Sequence, residues 1–179
     1  MSEDGPEFFK GHCGLGINLK QCVMEYAIVK WLHVLSSTLL FGTGLGSAFY
    51  MLVVSTTRDA HAIAVVARYV VIADWAFTTP TVIIQPVTGF YLAHLAGFPL
   101  SSPWIAISFA LYLLGGVCWL PVVWMQIRMR DMALQADVDG GELPERYWRF
   151  LRWWIALGIV AFLALVAVFY LMVAKTLPM

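Results

Sequence analysis

The chain has 179 residues, of which 61% are hydrophobic, 15% aromatic and 12% charged, and its formal net charge is zero. So high an apolar fraction excludes an ordinary soluble domain, and the lack of a basic patch argues against nucleic acid as a partner. The composition predicts an integral membrane protein whose first partner is the lipid bilayer.

Four apolar stretches are long enough to cross the hydrocarbon core, which requires a helix of about 20 residues. None of them alternates with the two-residue period of membrane barrel strands. We therefore predict an all-α fold, a four-helix transmembrane bundle in residues 26–179 that follows an extramembrane arm in residues 1–25. The predicted helices cover about 26–54, 64–98, 104–128 and 147–175.

Residues 1–22 of the predicted arm carry three acidic residues and no basic cluster that leads into a short apolar core. Because a cleavable signal peptide has such a cluster, we expect the arm to be part of the working protein. The arm also contains Cys13 and Cys22, which either form a disulfide or remain two separate thiols. The sequence leaves both alternatives open.

His33 is the most informative residue of the first predicted helix, where it follows Lys30 by about one turn. An ionisable side chain within a membrane helix is costly, so its presence indicates a functional site. We therefore regard this imidazole as a candidate ligand for a cofactor.

A shallow face follows this histidine along the first helix, because Ser37, Gly44 and Ala48 recur at helical spacing. A flat macrocycle or a neighbouring helix could lie on it, which makes Ser37 and Gly44 candidate cofactor-binding residues. Alternatively, Gly42 and Gly46 form a small-xxx-small packing surface, which would permit a homodimer. The sequence is compatible with a cofactor-binding face and with a helix-packing surface.

A polar stripe runs along the second predicted helix, and in lipid such a stripe must face the bundle interior or a wet cavity. Its members, at steps of three and four residues, are Asp74, Thr78, Thr81, Gln85 and Thr88. The stripe either supplies interhelical hydrogen bonds or forms a polar relay with Lys30. In the second case Asp74 carries protons, beside an arginine partner such as Arg68, Arg128 or Arg152.

His94 lies near the end of the second helix, at about the depth of His33 because the two helices are antiparallel. Neutral imidazoles from facing helices are common ligands for haem iron and for copper. We therefore predict His33 and His94 as metal ligands, with haem b as the cofactor and copper as the alternative. On a regular helix the stripe continues through Tyr91 and not through His94, which lies about 120° from Thr88. Pro80 and Pro86 could rotate the segment enough to bring His94 onto the stripe.

The third predicted helix offers weaker candidates, and packing is the simpler interpretation of the face that its polar and small residues share. These residues are Ser108, Tyr112, Gly116 and Trp119. Cys118 is expected to pack as a small hydrophobe. Residues 129–146 are predicted to be a solvated loop that turns at Gly140, and His61 is predicted to be a solvated loop residue.

Basic residues divide unequally between the two ends of the predicted bundle. The end that holds both termini carries four lysines, whereas seven arginines lie at the other end. Short loops rich in Lys and Arg stay cytoplasmic, so the prediction is a bacterial inner-membrane protein with both termini in the periplasm. Aromatic residues near the boundaries, among them Tyr147 and Trp154, are predicted to be interface anchors.

Several short motifs suggest a family. Lys30-Trp31-Leu32-His33, residues 146–150 and residues 173–178 resemble the HemJ-type protoporphyrinogen oxidases. Residues 85–89, together with Asp74, are more similar to a bacterial domain-of-unknown-function family of predicted four-helix integral membrane proteins. The CopD-type copper-resistance proteins are a looser likeness. The HemJ resemblance implies a haem-binding membrane protein in which His33 is the important residue.

One element of the HemJ pattern is missing from this chain. Those enzymes carry a lysine after a tryptophan in the third helix, whereas residues 104–108 read Trp-Ile-Ala-Ile-Ser. The first functional hypothesis is therefore a haem b protein that exchanges electrons with a quinone or a periplasmic redox partner. A HemJ-like tetrapyrrole oxidase is the second hypothesis, and a non-catalytic scaffold subunit of a larger membrane complex is the third.

Overall fold

The computed structural model describes residues 19–174, and nearly all of them are helical, with no strand in that range. A π-helical turn, Asp74–Thr78, joins the second and third helices into one continuous span. The helices are α1 Leu19–Thr57, α2 Ala60–Ala73, α3 Thr79–Leu95, α4 Pro103–Asp139 and α5 Glu145–Ala174. Helices α2 and α3 together form the second span, and α1, α4 and α5 form the first, third and fourth. All four spans are long and apolar enough to cross a membrane. This confirms the all-α, four-helix transmembrane prediction.

The helices are longer than the sequence predicted. Helix α1 begins at Leu19 rather than at residue 26, so the last residues of the predicted arm are already helical. Cys22 is buried on this first part of α1. Cys13 lies outside the described residues, and the disulfide hypothesis stays a prediction.

The segment after residue 128 was predicted to be a loop, and that prediction is wrong. Helix α4 continues to Asp139 because Met129, Ala133 and Ala136 lie on one helical face and are buried. The charged residues of the segment lie outside this buried face, so the helical period of burial persists through a polar stretch. Gly140 ends the helix in the left-handed conformation, with φ of 62°, which glycine adopts without steric strain.

The main core lies at the end of the bundle that contains the α1–α2 and α4–α5 loops, here called the His61 end. Helices α1, α2, α4 and α5 meet there around Met51, Ile63 and Met129. Tyr147 is completely buried in this core, and its hydroxyl lies 3.0 Å from Ser55 Oγ. His61 itself is exposed, as predicted, but it lies in the first turn of α2 rather than in a loop, and its Nδ1 lies 3.1 Å from the Asp137 carboxylate.

Tyr147 and Trp154 do not serve as interface anchors, contrary to prediction. Both are buried, and so is Leu151, because positions 147, 151 and 154 share the face of α5 that packs against α4. Neighbouring Trp153 points away from the core and is 62% exposed, which suits a lipid or interface position. The aromatic side chains of this segment therefore divide between the core and the membrane-facing surface.

At the opposite end, here called the His33 end, the bundle opens. Helix α1 packs against α3, and α4 packs against α5, but α3 has few contacts with α4 and α1 has few with α5. The Phe90–Phe109 ring pair, with centroids 5.1 Å apart, is one of the contacts between the two halves. The two helix pairs thus diverge from the His61 core towards the His33 end and leave space between them.

The buried Tyr147 hydroxyl gives a test of the core. In the Tyr147→Phe variant the Ser55 hydroxyl loses its partner on α5, and we expect the free energy of unfolding to fall by about 1 kcal/mol. Thermal unfolding in detergent measures the change. Tyr170→Phe is the matched control, because Tyr170 lies on the same helix but is 71% exposed. Equal stability of the two variants would contradict the assignment.

Candidate functional site: the His33 cleft and the Asp74 cavity

The polar stripe of the second span faces the bundle interior, as predicted. All five stripe residues are buried, from Asp74 to Thr88. The stripe begins at the π-helical turn, where the Thr79 N–H donates to the Asp74 carbonyl five residues back. Pro80, which has no N–H, follows directly. Single π-helical turns of this kind occur frequently at functional sites.

A cleft of about 620 Å³ fills the space between the diverging helices at the His33 end. All four spans line this His33 cleft, and its walls are mainly apolar and aromatic. Its polar wall residues, from α1, α3 and α4, are Tyr26, Lys30, His33, Ser37, Thr38, Gln85, Ser108 and Tyr112. A large apolar pocket with a few polar groups that converge on it is the usual form of a ligand site.

The orientation of the His33 ring is fixed by the second span. His33 Nδ1 lies 2.7 Å from Thr88 Oγ1, which itself lies 2.7 Å from the Ile84 carbonyl oxygen. The Thr88 hydroxyl also faces the Gln85 carbonyl, so it has carbonyl acceptors for its single hydrogen, and we infer that its Oγ1 accepts the Nδ1 hydrogen of His33. In this tautomer Nε2 carries the lone pair.

Two further contacts hold the backbone and ring of this histidine. The Gln85 side-chain amide donates to the His33 carbonyl across 3.0 Å, and Ser36 Oγ donates to the same oxygen across 3.1 Å. The ring lies against Gly89, where a Cβ atom would come within 3.2 Å of His33 Cε1. Contacts from α3 therefore determine where the imidazole points.

A second cavity, of about 330 Å³, lies deeper in the bundle and is here called the Asp74 cavity. Leu40, Phe41, Tyr112 and Leu165 line both spaces and form their common wall. Asp74 lies in the wall of the deeper cavity, where the Thr78 hydroxyl donates to its Oδ1 across 2.9 Å.

The prediction that an arginine side chain pairs with Asp74 is wrong. The Gln126 side chain lies within hydrogen-bonding reach of the carboxylate, and Asp74 makes no ion pair within the described part of the chain. The arginines lie at the exposed surface instead; Arg128, for example, lies 5.8 Å from the Trp124 ring centroid. Asp74 is thus too deep in the bundle for the arginine side chains that were expected to reach it.

The structure separates the predicted site residues into three groups. Lys30, Ser37 and Gln85 line the His33 cleft together with His33, whereas Gly44 and Asp74 line the deeper cavity. His94 is exposed on the last turn of α3 and lines neither space. Helix α3 remains regular after the π-helical turn, so its prolines do not bring His94 onto the buried stripe.

Three residues of the two sites were missed or assigned another role from the sequence. Thr88 was recognised as polar and inward-facing, but not as the hydrogen-bond partner of His33. Gln126 was noted only as the end of an apolar stretch, although a buried amide there signals a partner. Trp154 shares a helical face with Leu151, and that spacing could have identified it as buried.

The arrangement defines a multi-pass integral membrane protein with a mainly apolar cleft between its spans, onto which a few polar groups converge. Residues 27–176 match the family model described as "Predicted integral membrane protein (DUF2269)", and the chain therefore belongs to this family. No curated protein and no solved structure matches the chain. The resemblance to HemJ-type and CopD-type proteins is not supported by the family match and stays a prediction.

The Thr88 contact gives a test of the His33 geometry. In Thr88→Val the acceptor for the Nδ1 hydrogen is lost with little change in shape, so we expect His33 to become a mixture of the two neutral tautomers. The ¹⁵N chemical shifts of histidine-labelled protein measure the tautomer. Thr79→Val is the control, because the Thr79 hydroxyl donates to the Asp74 carbonyl and does not touch His33. An unchanged His33 spectrum in Thr88→Val would contradict the tautomer assignment.

Proposed function

We propose that this protein binds haem b in the His33 cleft, with His33 Nε2 as an axial ligand of the iron, and that it serves in electron transfer. The observation that carries the proposal is the hydrogen bond from His33 Nδ1 to Thr88 Oγ1. A histidine that ligates a metal ordinarily gives its other ring N–H to a nearby acceptor, which fixes the tautomer and orients the lone pair. His33 has this arrangement on the wall of a large apolar cleft.

The walls of the cleft suit a flat, amphipathic ring. A volume of about 620 Å³ falls within the range of known ligand pockets, and aromatic side chains line it. Gly89 leaves open the space beside the imidazole that any side chain would fill. Lys30 lies at the exposed edge of the cleft, where its ammonium group can pair with a carboxylate such as a haem propionate.

The ligand set we propose differs from the sequence-based one. His94 is exposed and lies outside the cleft, so it is not included. Met172 lines the cleft, and a thioether is a known second ligand of haem iron beside histidine. The described residues contain no cluster of three or more His, Cys, Asp or Glu, so an iron that needs one or two axial ligands fits better than copper.

The contacts of the cleft residues indicate what each of them would do if haem were bound. Bound haem would supply one-electron redox chemistry. Thr88 would hold His33 in its ligating tautomer, Gln85 would fix the backbone that carries it, and the apolar walls would exclude water. These residues determine ring orientation, solvent access and polarity, which are the means by which a protein sets a haem potential.

A second candidate ligand is a quinone, and a separate observation favours it. Ser108 Oγ is buried in the wall of the cleft and has no hydrogen-bond partner among the described residues. A carbonyl-bearing headgroup would accept that hydrogen. The limited contact between α1 and α5 leaves a lateral opening through which a lipid-soluble ligand could enter from the bilayer.

The charge distribution supports an orientation for this site. The seven arginines cluster towards the His61 end, so the positive-inside rule favours a cytoplasmic position for that end. In a bacterial inner membrane the His33 cleft would then open near the periplasmic face. A periplasmic electron donor or acceptor is the corresponding proposed partner.

Absorption spectroscopy tests the haem proposal. We expect the detergent-solubilised protein, purified with added haem, to show a Soret band that His33→Ala reduces at least tenfold. His94→Ala is the matched control and should keep the full band, because His94 lies outside the cleft. A steric variant, Gly89→Leu, should also lose the band, whereas Gly42→Leu should keep it, since a Cβ at Gly42 meets no atom within 4 Å.

Two results would overturn the haem assignment. The first is a wild-type protein that binds no haem, and the second is a His33→Ala variant that binds as much haem as the wild type. Labelling of Ser108 or its cleft neighbours by a photoreactive quinone, together with the first result, would establish the quinone candidate instead.

A further inference from the structure

The Asp74 cavity contains buried polar atoms that no described residue satisfies. Gln126 is 3% exposed and Trp154 is 5% exposed, and both line the cavity. Gln126 Oε1 and Trp154 Nε1 have no hydrogen-bond partner in the described part of the chain. Buried polar groups in native proteins are nearly always paired, with protein or with ordered water. The cavity therefore has to supply the missing partner.

The chemistry of the two atoms limits what that partner is. The indole Nε1–H is only a donor and the amide Oε1 is only an acceptor, so a ligand that satisfies both atoms accepts one hydrogen bond and donates another. Water does both, and the cavity of about 330 Å³, whose walls are mainly apolar apart from these polar groups, has ample room for it. A metal cation does not, because the indole hydrogen would point towards its positive charge.

Asp74 belongs to the wall of the same cavity and has only neutral partners. Thr78 and Gln126 are its hydrogen-bonding neighbours, and no cationic side chain lines the space. Tyr112 is the other titratable residue in the lining, and its hydroxyl donates to the Val82 carbonyl across 2.6 Å. The walls contributed by α1 and α5 contain no titratable side chain. An unpaired carboxylate at such a position is costly in a bilayer, and a proton removes that cost.

We propose that the Asp74 cavity is a hydrated proton-binding site inside the membrane, in which Asp74 takes up the proton. A protonated water in the cavity gives its proton to the carboxylate oxygen that Thr78 does not contact, and the same O–H bond breaks on release. Water between Trp154 Nε1 and Gln126 Oε1 keeps this proton exchangeable. The site stands independently of the ligand proposed for the His33 cleft.

Infrared spectroscopy of the full chain in lipid nanodiscs tests the protonation and the hydration together. We expect the C=O stretching band of a protonated carboxyl group, which is lost in Asp74→Asn and shifts promptly when H₂O is replaced by D₂O. Asp59→Asn is the control and should keep the band, because Asp59 is exposed and asparagine also caps α2. Absence of the band from pH 5 to pH 8, or a band that does not shift in D₂O, would overturn the proposal.

A labelling experiment keeps the test valid if Asp74→Asn fails to fold. Dicyclohexylcarbodiimide reacts with protonated carboxyl groups in apolar surroundings, and mass spectrometry of the wild type should locate the adduct at Asp74 and not at Asp59 or Asp137. Trp154→Phe should shift the Asp74 infrared band, whereas Trp153→Phe should not. Lack of labelling at Asp74 would overturn the proposal, as would loss of the band on addition of sodium ions alone.

Discussion

The structure depends on one constraint: a polar face that crosses the bilayer must find its partners inside the bundle. The second span carries such a face, and α1 and α4 pack against it and form hydrogen bonds with it. Gln85 donates to the His33 carbonyl on α1, Thr88 binds the His33 ring, and Tyr112 on α4 donates to a carbonyl of α3. Interhelical hydrogen bonds of this kind hold membrane helices together where the hydrophobic effect between them is weak.

The uneven distribution of packing explains why the cavities lie where they do. Small and flexible side chains such as Ala64, Ala67 and Met129 bring α2 close to α4 at the His61 end. Beyond the π-helical turn this close contact ends, and α3 stays with α1 while α4 stays with α5. This divergence opens the His33 cleft, whereas the Asp74 cavity lies directly beside the core, because Val122 and Trp154 belong to both.

The two sites have different chemistry although they share a wall. The His33 cleft is wide, laterally open and lined by aromatic side chains, with one oriented imidazole. The Asp74 cavity is smaller and contains a carboxylate, together with an amide oxygen and an indole N–H that have no hydrogen-bond partner among residues 19–174. Tyr112 lies between them with its hydroxyl already committed to Val82, so the side chains that separate the sites do not form a hydrogen-bonded chain.

The sequence by itself determined the class, the four spans and the inward direction of the stripe, because hydropathy and helical period are local properties of a membrane chain. It also identified His33 and Asp74, since ionisable residues in apolar helices are conspicuous. Only the tertiary structure decided their neighbours. That His33 meets Thr88 rather than His94, and that Asp74 meets Gln126 rather than an arginine, depends on how the helix pairs diverge. Helix position and rotation arise from packing summed over many distant residues, and no local pattern in the chain encodes them.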